Sequence, residues 1–364
     1  MKKTLFSFVM IALSMTACDF TPKFTVNGTI KVKQTGSAYL ITEGKEQMDT
    51  LAKAVILDST FTLTGSVNTL TVAYLIIEGE RGGNPIFIEN TDFTATLNAE
   101  NPTENKIEGS TTQDLANRFF AIDKESRIAQ AKLSQDFREA TQAEDTTKVN
   151  SIRREFNDIV KEVAAKKETL TKANPDSFVI AYMLESRMNG LKLEKLTAEY
   201  NALGATAKAS PSGKKIEKRI EKLLAVEIGQ VAPDFTLNTP EGKPLSMHSI
   251  KAKVKVLDFW ASWCGPCRSE NPNVVKMYNE FHKEGLEILG VSLDNKQEAW
   301  VKAIKDDHLT WPQVSDLKGW NSTAAKLYAI NGIPHIVVLD ENNVIVAKNL
   351  RGDALKAKIA EMLK

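Results

Sequence analysis

Apolar and polar residues alternate one by one over three stretches early in the chain. Phe24-Thr25-Val26-Asn27-Gly28-Thr29-Ile30-Lys31-Val32 is the longest, and Phe61 to Val67 and Phe93 to Leu97 repeat the pattern. A period of two bounded by Gly and Asn predicts half-buried strands. Residues 24–109, rich in Thr, Val, Ile and Asn, therefore read as a small antiparallel β-sandwich or barrel. This stretch holds no Cys, His or Trp. That points to a structural or partner-binding module rather than a catalytic one.

The period lengthens after residue 111. Leu115, Phe119, Ile122, Ala129, Leu133 and Phe137 keep helical spacing, as do Ile152, Phe156, Ile159 and Val163, with dense Lys, Arg, Glu and Gln between them. The polar link Ala143–Thr147 separates two long helices, so a helical hairpin is expected. Asn174-Pro175-Asp176-Ser177 opens a further helix that Asn189-Gly190 closes, and Lys214 to Val226 forms another. The charged residues read as solvated helix faces; the sharper alternative is that the hairpin's apolar stripe makes a homodimer.

Strands and helices then alternate. Val254 to Trp260, Leu286 to Leu293, Ile336 to Leu339 and Val344 to Ala347 are strand-like. Pro272 to Lys283, Glu298 to Asp307, Thr323 to Ala329 and Ala354 to Leu363 are helix-like. Such alternation predicts an α/β sheet covered on both faces. The chain divides accordingly into a leader at 1–17, a β-rich N-terminal domain at 19–110, an α-helical middle region at 111–226 and an α/β domain at 227–364.

The leader changes the compartment. Met1-Lys2-Lys3 precedes an apolar run from Leu5 to Leu13 and then Ser14-Met15-Thr16-Ala17-Cys18, the layout of an export signal. The run is shorter than the roughly 20 residues a membrane span takes. Cys18 after a small residue resembles the lipobox of bacterial lipoproteins, although Met15 stands where leucine is usual. The resemblance implies cleavage at 17, a lipid on Cys18 and a periplasm-facing place in the cell envelope; an ordinary cleaved signal is the plainer alternative. Composition adds little: the full chain carries a formal net charge of +1. Removing Lys2 and Lys3 leaves 45 basic against 46 acidic residues, a charge of −1. Nothing in that balance points to nucleic acid.

The candidate chemistry lies in the last domain. Besides Cys18, the chain has Cys264 and Cys267, in Trp263-Cys264-Gly265-Pro266-Cys267. With no second Cys pair there is no four-ligand zinc site, so no metal is expected. A Cys-x-x-Cys between a strand and a helix is the setting of a redox dithiol. At a helix N-terminus, free amides and the helix dipole favour a thiolate, so Cys264 is expected to be the exposed nucleophile and Cys267, one turn on and more buried, the resolving thiol.

Phe259 to Arg268 resembles the active-site segment of the thioredoxin superfamily. Val231-Ala232-Pro233-Asp234-Phe235-Thr236-Leu237 and Gly332-Ile333-Pro334 add two more matches. Together they resemble the TlpA/ResA-like branch of extracytoplasmic thiol-disulfide oxidoreductases, over about 135 residues of the chain. The layout upstream resembles the β-rich domain and helical linker of lipoprotein members. The resemblance implies that Asp258 is buried beneath the cysteines and takes a proton from the resolving thiol. It implies that Glu270 tunes the pair, that Pro334 is a cis-proline opposite it, and that Pro272 kinks the helix. An ordinary strand-end acid and a solvated or helix-dipole-complementing acid are the plainer readings of Asp258 and Glu270. Trp263 is expected to shield the site and meet substrate, while Trp260, Trp300, Trp311 and Trp320 read as packing residues. His335 is either a packing residue or a substrate contact.

The leading expectation is a membrane-tethered reductase or isomerase of protein disulfides. The chain has no flavin, nicotinamide or quinone motif, so it needs no cofactor of its own but implies a separate transmembrane electron donor. A thiol peroxidase is one alternative, since Val231 to Leu237 has counterparts in peroxiredoxins. Against it, Leu257 and Trp260 stand where those enzymes carry Pro and Thr. The other alternative is a partner-binding envelope lipoprotein with an accessory redox domain.

Overall fold

The computed structural model describes residues 22–32, 35–44 and 48–364. The expected leader and Cys18 lie outside the described residues. Among the described residues no helix is long and apolar enough to cross a membrane. The chain forms two compact units that meet between Val179 and Ile180.

The first unit begins with eight strands. These are β1 (Phe24–Ile30), β2 (Ser37–Glu43), β3 (Met48–Val55), β4 (Thr60–Gly65), β5 (Thr71–Ile77), β6 (Asn84–Ile88), β7 (Asp92–Leu97) and β8 (Lys106–Glu108). They make two four-stranded sheets, in the orders β4-β1-β7-β8 and β3-β2-β5-β6. The alternation seen in the sequence becomes burial: Phe24, Val26 and Ile30 of β1, Phe61 and Leu63 of β4, and Phe93, Ala95 and Leu97 of β7 join one core. Gly28 is the exception on the inward face of β1. A Cβ there would lie 1.9 Å from the Phe61 ring, which fills its place. The second sheet is antiparallel throughout. The first holds one parallel pair, β1 with β7, which local alternation does not reveal because it pairs strands from opposite ends of the domain.

Two long helices complete this unit, α1 (Thr111–Gln142) and α2 (Thr146–Ala173). Ser110 caps α1 by accepting the Gln113 N–H, and Asp145 caps α2 by accepting the Lys148 N–H. Leu133, Ala140 and Ile152 are buried where the two helices pack, flanked by Phe137, Val149 and Ile159.

Helix α3 (Phe178–Glu185) contains the junction between the units. It stops four residues short of the expected Asn189 signal, which instead lies in a 3₁₀ turn at Met188–Gly190. Then follow α4 (Leu193–Asn201), α5 (Ala205–Ala209) and α6 (Pro211–Leu224). The last starts earlier than the charge pattern suggested, because Ser210 caps it and Pro211 occupies its first turn.

The second unit is built on a seven-stranded sheet. Its strands are β9 (Thr236–Asn238), β10 (Pro244–Ser246), β11 (Val254–Trp260), β12 (Leu286–Ser292), β13 (Gln313–Ser315), β14 (His335–Asp340) and β15 (Ile345–Lys348). Their order is β10-β9-β13-β12-β11-β14-β15. Helices α7 (Gly265–Phe281), α8 (Gln297–Asp306), α9 (Thr323–Leu327) and α10 (Gly352–Leu363) separate or follow them. Strand β11 runs parallel to β12 and antiparallel to β14. All seven of its residues are buried, as a central strand covered on both faces requires. This is a thioredoxin-like α/β domain, joined in the chain to an N-terminal β layer and a helical middle region.

Candidate active site

The carboxyl end of β11 delivers Cys264 to the start of α7. Cys264 is the N-cap residue, and its Sγ accepts the Cys267 N–H at 3.2 Å. Pro266 in the first turn lacks the N–H that would go unused there. Helix α7 thus begins at Gly265, a full two turns before the helical pattern first noted at Pro272, which sits inside it. Cys264 and Cys267 are joined in a disulfide, with Cα atoms 5.2 Å apart.

Cys264 is not exposed in this oxidised state. It keeps 5% of its surface against 2% for Cys267, because each bonded sulfur covers the other. The order of accessibility between the two is the one expected.

Asp258, Cys267, Glu270, Asn271, Pro334 and Arg351 help to line one small cavity of about 10 Å³, close to the room one water molecule needs. Asp258 is buried. Burial first, and the nearby Glu270 charge second, push its carboxyl up to about 7. Glu270 is half-buried, with Oε1 accepting the Gly352 N–H at 2.9 Å at the start of α10 and Oε2 accepting from Asn273 at 3.2 Å. It therefore complements a helix terminus and lines the cysteine cavity at once. The Ile333–Pro334 bond is cis, and the Pro334 carbonyl accepts from Arg351 Nη2 at 2.7 Å. His335 packs edge-on against Phe259, with ring centroids 6.2 Å apart. Burial, with Lys348 and Arg351 nearby, lowers its pKa to about 4, which leaves a neutral ring.

The structure also gives parts to residues to which the sequence assigned no role. Arg268 donates Nη2–H to Asp307 Oδ1 at 2.7 Å and Nη1–H to the Ser262 carbonyl at 3.2 Å, and Nε–H also binds Asp307. Asn271 donates to the same carboxylate at 2.6 Å. These bonds tie the first turns of α7 to the end of α8. Asp294, 1% exposed, accepts the Ser262 N–H at 2.9 Å and the Ser262 hydroxyl at 2.5 Å. A polar residue just past a parallel strand's carboxyl end was the available signal, since sites in such sheets gather there.

The tryptophans divide sharply. Trp260, Trp300 and Trp311 are 1–3% exposed and pack in the core as expected. Trp263 is 54% exposed. Trp320 is not a packing residue: it is 47% exposed, and its ring lies 6.2 Å from that of Trp263. Its sequence neighbours gave no hint, because the approach is made by two loops far apart in the chain.

Residues 228–348 match the AhpC/TSA family, and residues 24–116 match a domain of unknown function, DUF4369. The chain is 37% identical to the thioredoxin-like protein YneN of Bacillus subtilis over 128 residues, 34% of this chain and 72% of that protein. It is 31% identical to the thiol-disulfide oxidoreductase ResA of Geobacillus thermodenitrificans over 139 residues, 38% of this chain and 78% of that one. Among solved structures, the thioredoxin domain of a thiol-disulfide oxidoreductase from Bacteroides vulgatus is 38% identical, covering 38% of this chain and 99% of that domain, with a TM-score of 0.36.

Proposed function

This chain belongs to the ResA-like thiol-disulfide oxidoreductases of the thioredoxin superfamily, and from that premise we propose that it reduces or isomerises protein disulfides outside the cytoplasm by dithiol exchange at Cys264 and Cys267. The observation that carries the reading is the capping contact at Cys264. Its Sγ accepts the Cys267 N–H at the start of α7, where a thiolate gains from the free amides and the helix dipole.

In the reducing direction the Cys264 thiolate attacks one sulfur of a substrate disulfide. A mixed disulfide forms and the other substrate sulfur leaves as thiolate. The Cys267 thiol then gives up its proton, and its sulfur attacks Cys264 Sγ, releasing the second substrate thiolate. The product is the Cys264–Cys267 disulfide. Asp258 supports the middle step. It shares a cavity with Cys267, and a carboxyl titrating near 7 is matched to accepting a proton at neutral pH. Burial, with the Glu270 charge second, keeps that pKa high, Trp263 meets the substrate beside the attacking sulfur, and Pro334, just before β14, closes the cavity. Two electrons must then return from a separate dithiol donor, which we place in the membrane.

Lipidation of Cys18 would hold the enzyme at the periplasmic face of the envelope, and the N-terminal β layer would serve as a partner-binding module. The test is insulin reduction by the full mature chain with dithiothreitol as electron source. Turnover that Cys264→Ser abolishes is the expected result. Turnover of hydrogen peroxide at comparable rates, with no insulin reduction, would replace this reading with a thiol peroxidase. A strongly oxidising potential for the pair would reverse the direction.

A further inference from the structure

Two half-exposed indoles beside a reactive disulfide need a reason, since apolar surface left in water forgoes the gain of burial. Trp263 immediately precedes Cys264, and Trp320 lies in the 3₁₀ turn Gly319–Asn321 between β13 and α9. Their planes meet at 56°, so the rings are tilted rather than stacked on each other.

One residue ties the chain just before both tryptophans. The buried Asp294 carboxylate accepts two hydrogen bonds from Ser262, the residue before Trp263, and a third from the Ser292 hydroxyl at 2.7 Å. Its backbone carbonyl accepts the N–H of Gly319, the residue before Trp320, at 3.4 Å. The Trp320 loop has further ties. Asp316 accepts the Thr323 N–H at 2.8 Å, and Ser315 Oγ donates to the Ser292 carbonyl at 3.0 Å while accepting the Leu317 N–H at 3.1 Å. The backbone is fixed and the rings are left in solvent. That is a preorganised aromatic surface rather than a slack loop.

We infer that Trp263 and Trp320 form a two-ring clamp for an apolar or aromatic side chain next to the substrate's cystine, and that Trp320 is a specificity-determining residue for exchange at Cys264. The occupant follows from position and chemistry. Anything seated on a ring adjacent in the chain to Cys264 sits beside the sulfur under attack, and indole faces favour apolar and aromatic partners over charged or small polar ones. Asp294 is the positioning residue that anchors the chain before each tryptophan. The inference rests on the exchange reaction proposed above and adds the kind of polypeptide it prefers.

The test uses the full mature chain and two cystine-closed peptides of equal length, one with Phe and one with Ser beside each Cys. Glutathione disulfide serves as a third substrate with no such side chain. Wild type should favour the Phe peptide by about tenfold in kcat/KM, the size expected when one ring contact plus its burial is gained. Trp320→Ala should bring the ratio close to one, chiefly by raising KM on the Phe peptide, with the reduction potential of the cysteine pair unmoved. Trp320→Phe should retain most of the preference. A wild-type ratio near one overturns the clamp even if the alanine variant fails to fold. So does a ratio that Trp320→Ala leaves intact, or a shifted potential with equal losses on both peptides. Failure of wild type to turn over any of the three disulfides refutes the exchange reading itself.

Discussion

With its carboxyl buried and pushed up to about 7, Asp258 holds a proton in the folded chain over a pH range in which the unfolded chain, titrating near 3.8, has lost it. The folded state therefore binds more protons than the unfolded one between about pH 4 and 7. Stability falls as pH rises through that window and is level above it. Asp258→Asn removes the dependence. Urea unfolding should show the variant close to wild type at pH 4 and more stable at pH 8, by on the order of 2–4 kcal/mol for a shift of this size. The same substitution should slow release of the mixed disulfide on the order of 10²-fold at pH 7, with the deficit shrinking as alkali deprotonates Cys267 directly. Equal stability gains at both pH values would remove the buried-acid account. Asp258, Cys264 and Cys267 were legible in the sequence because each has a fixed offset within one motif, and Pro334 because Gly332-Ile333-Pro334 is a second short match. Trp320 and Asp294 were not, since what marks them is a neighbour supplied by another loop.

At the scale of elements, the site depends on how closely β12 lies against β11 and β13. Gly290 pairs with Asp258 in register on one side and with Gln313 on the other. A Cβ on Gly290 would come within 2.1 Å of Gln313 Oε1, the atom that accepts the Trp260 indole N–H at 3.0 Å. Gly290→Ala should therefore displace Gln313, orphan a buried donor and destabilise the domain by about 1–3 kcal/mol. An unchanged melting temperature would count against that packing. Strand and helix identities followed the periods of two and 3.6 well, because a half-buried strand and an amphipathic helix show one apolar face each. Strands β2, β3, β5 and β6 were read only as part of a β-rich stretch, and the short β8, β9, β10 and β13 escaped, since three residues cannot display a period. The parallel pairing of β1 with β7 escaped because register between distant strands is set by the fold, not by either segment.

At the scale of the whole molecule, no helix among the described residues is long and apolar enough to cross a membrane, so the proposed extracytoplasmic role requires a route to that compartment and to electrons. The leader reading assigns the first to Cys18, and labelling of cells with a palmitate analogue should mark the wild-type chain and not Cys18→Ser. The α1–α2 hairpin packs Leu133 and Ile152 of the expected dimer stripe within itself and leaves Ile128, Phe156 and Val160 exposed by 42–62%, so a homodimer through this region would have to use those three; monomers at micromolar concentration in light scattering would remove it. These whole-chain proposals rest on sequence pattern, whereas the exchange chemistry rests on geometry, and it is the latter that a single experiment decides. Mature chains carrying Cys267→Ser or Cys264→Ser are each mixed with oxidised insulin, quenched in acid and weighed by mass spectrometry without reduction. Cys264 as attacker predicts a covalent insulin adduct on the Cys267→Ser chain and none on Cys264→Ser. Adducts on Cys264→Ser alone, or on neither chain, would contradict it.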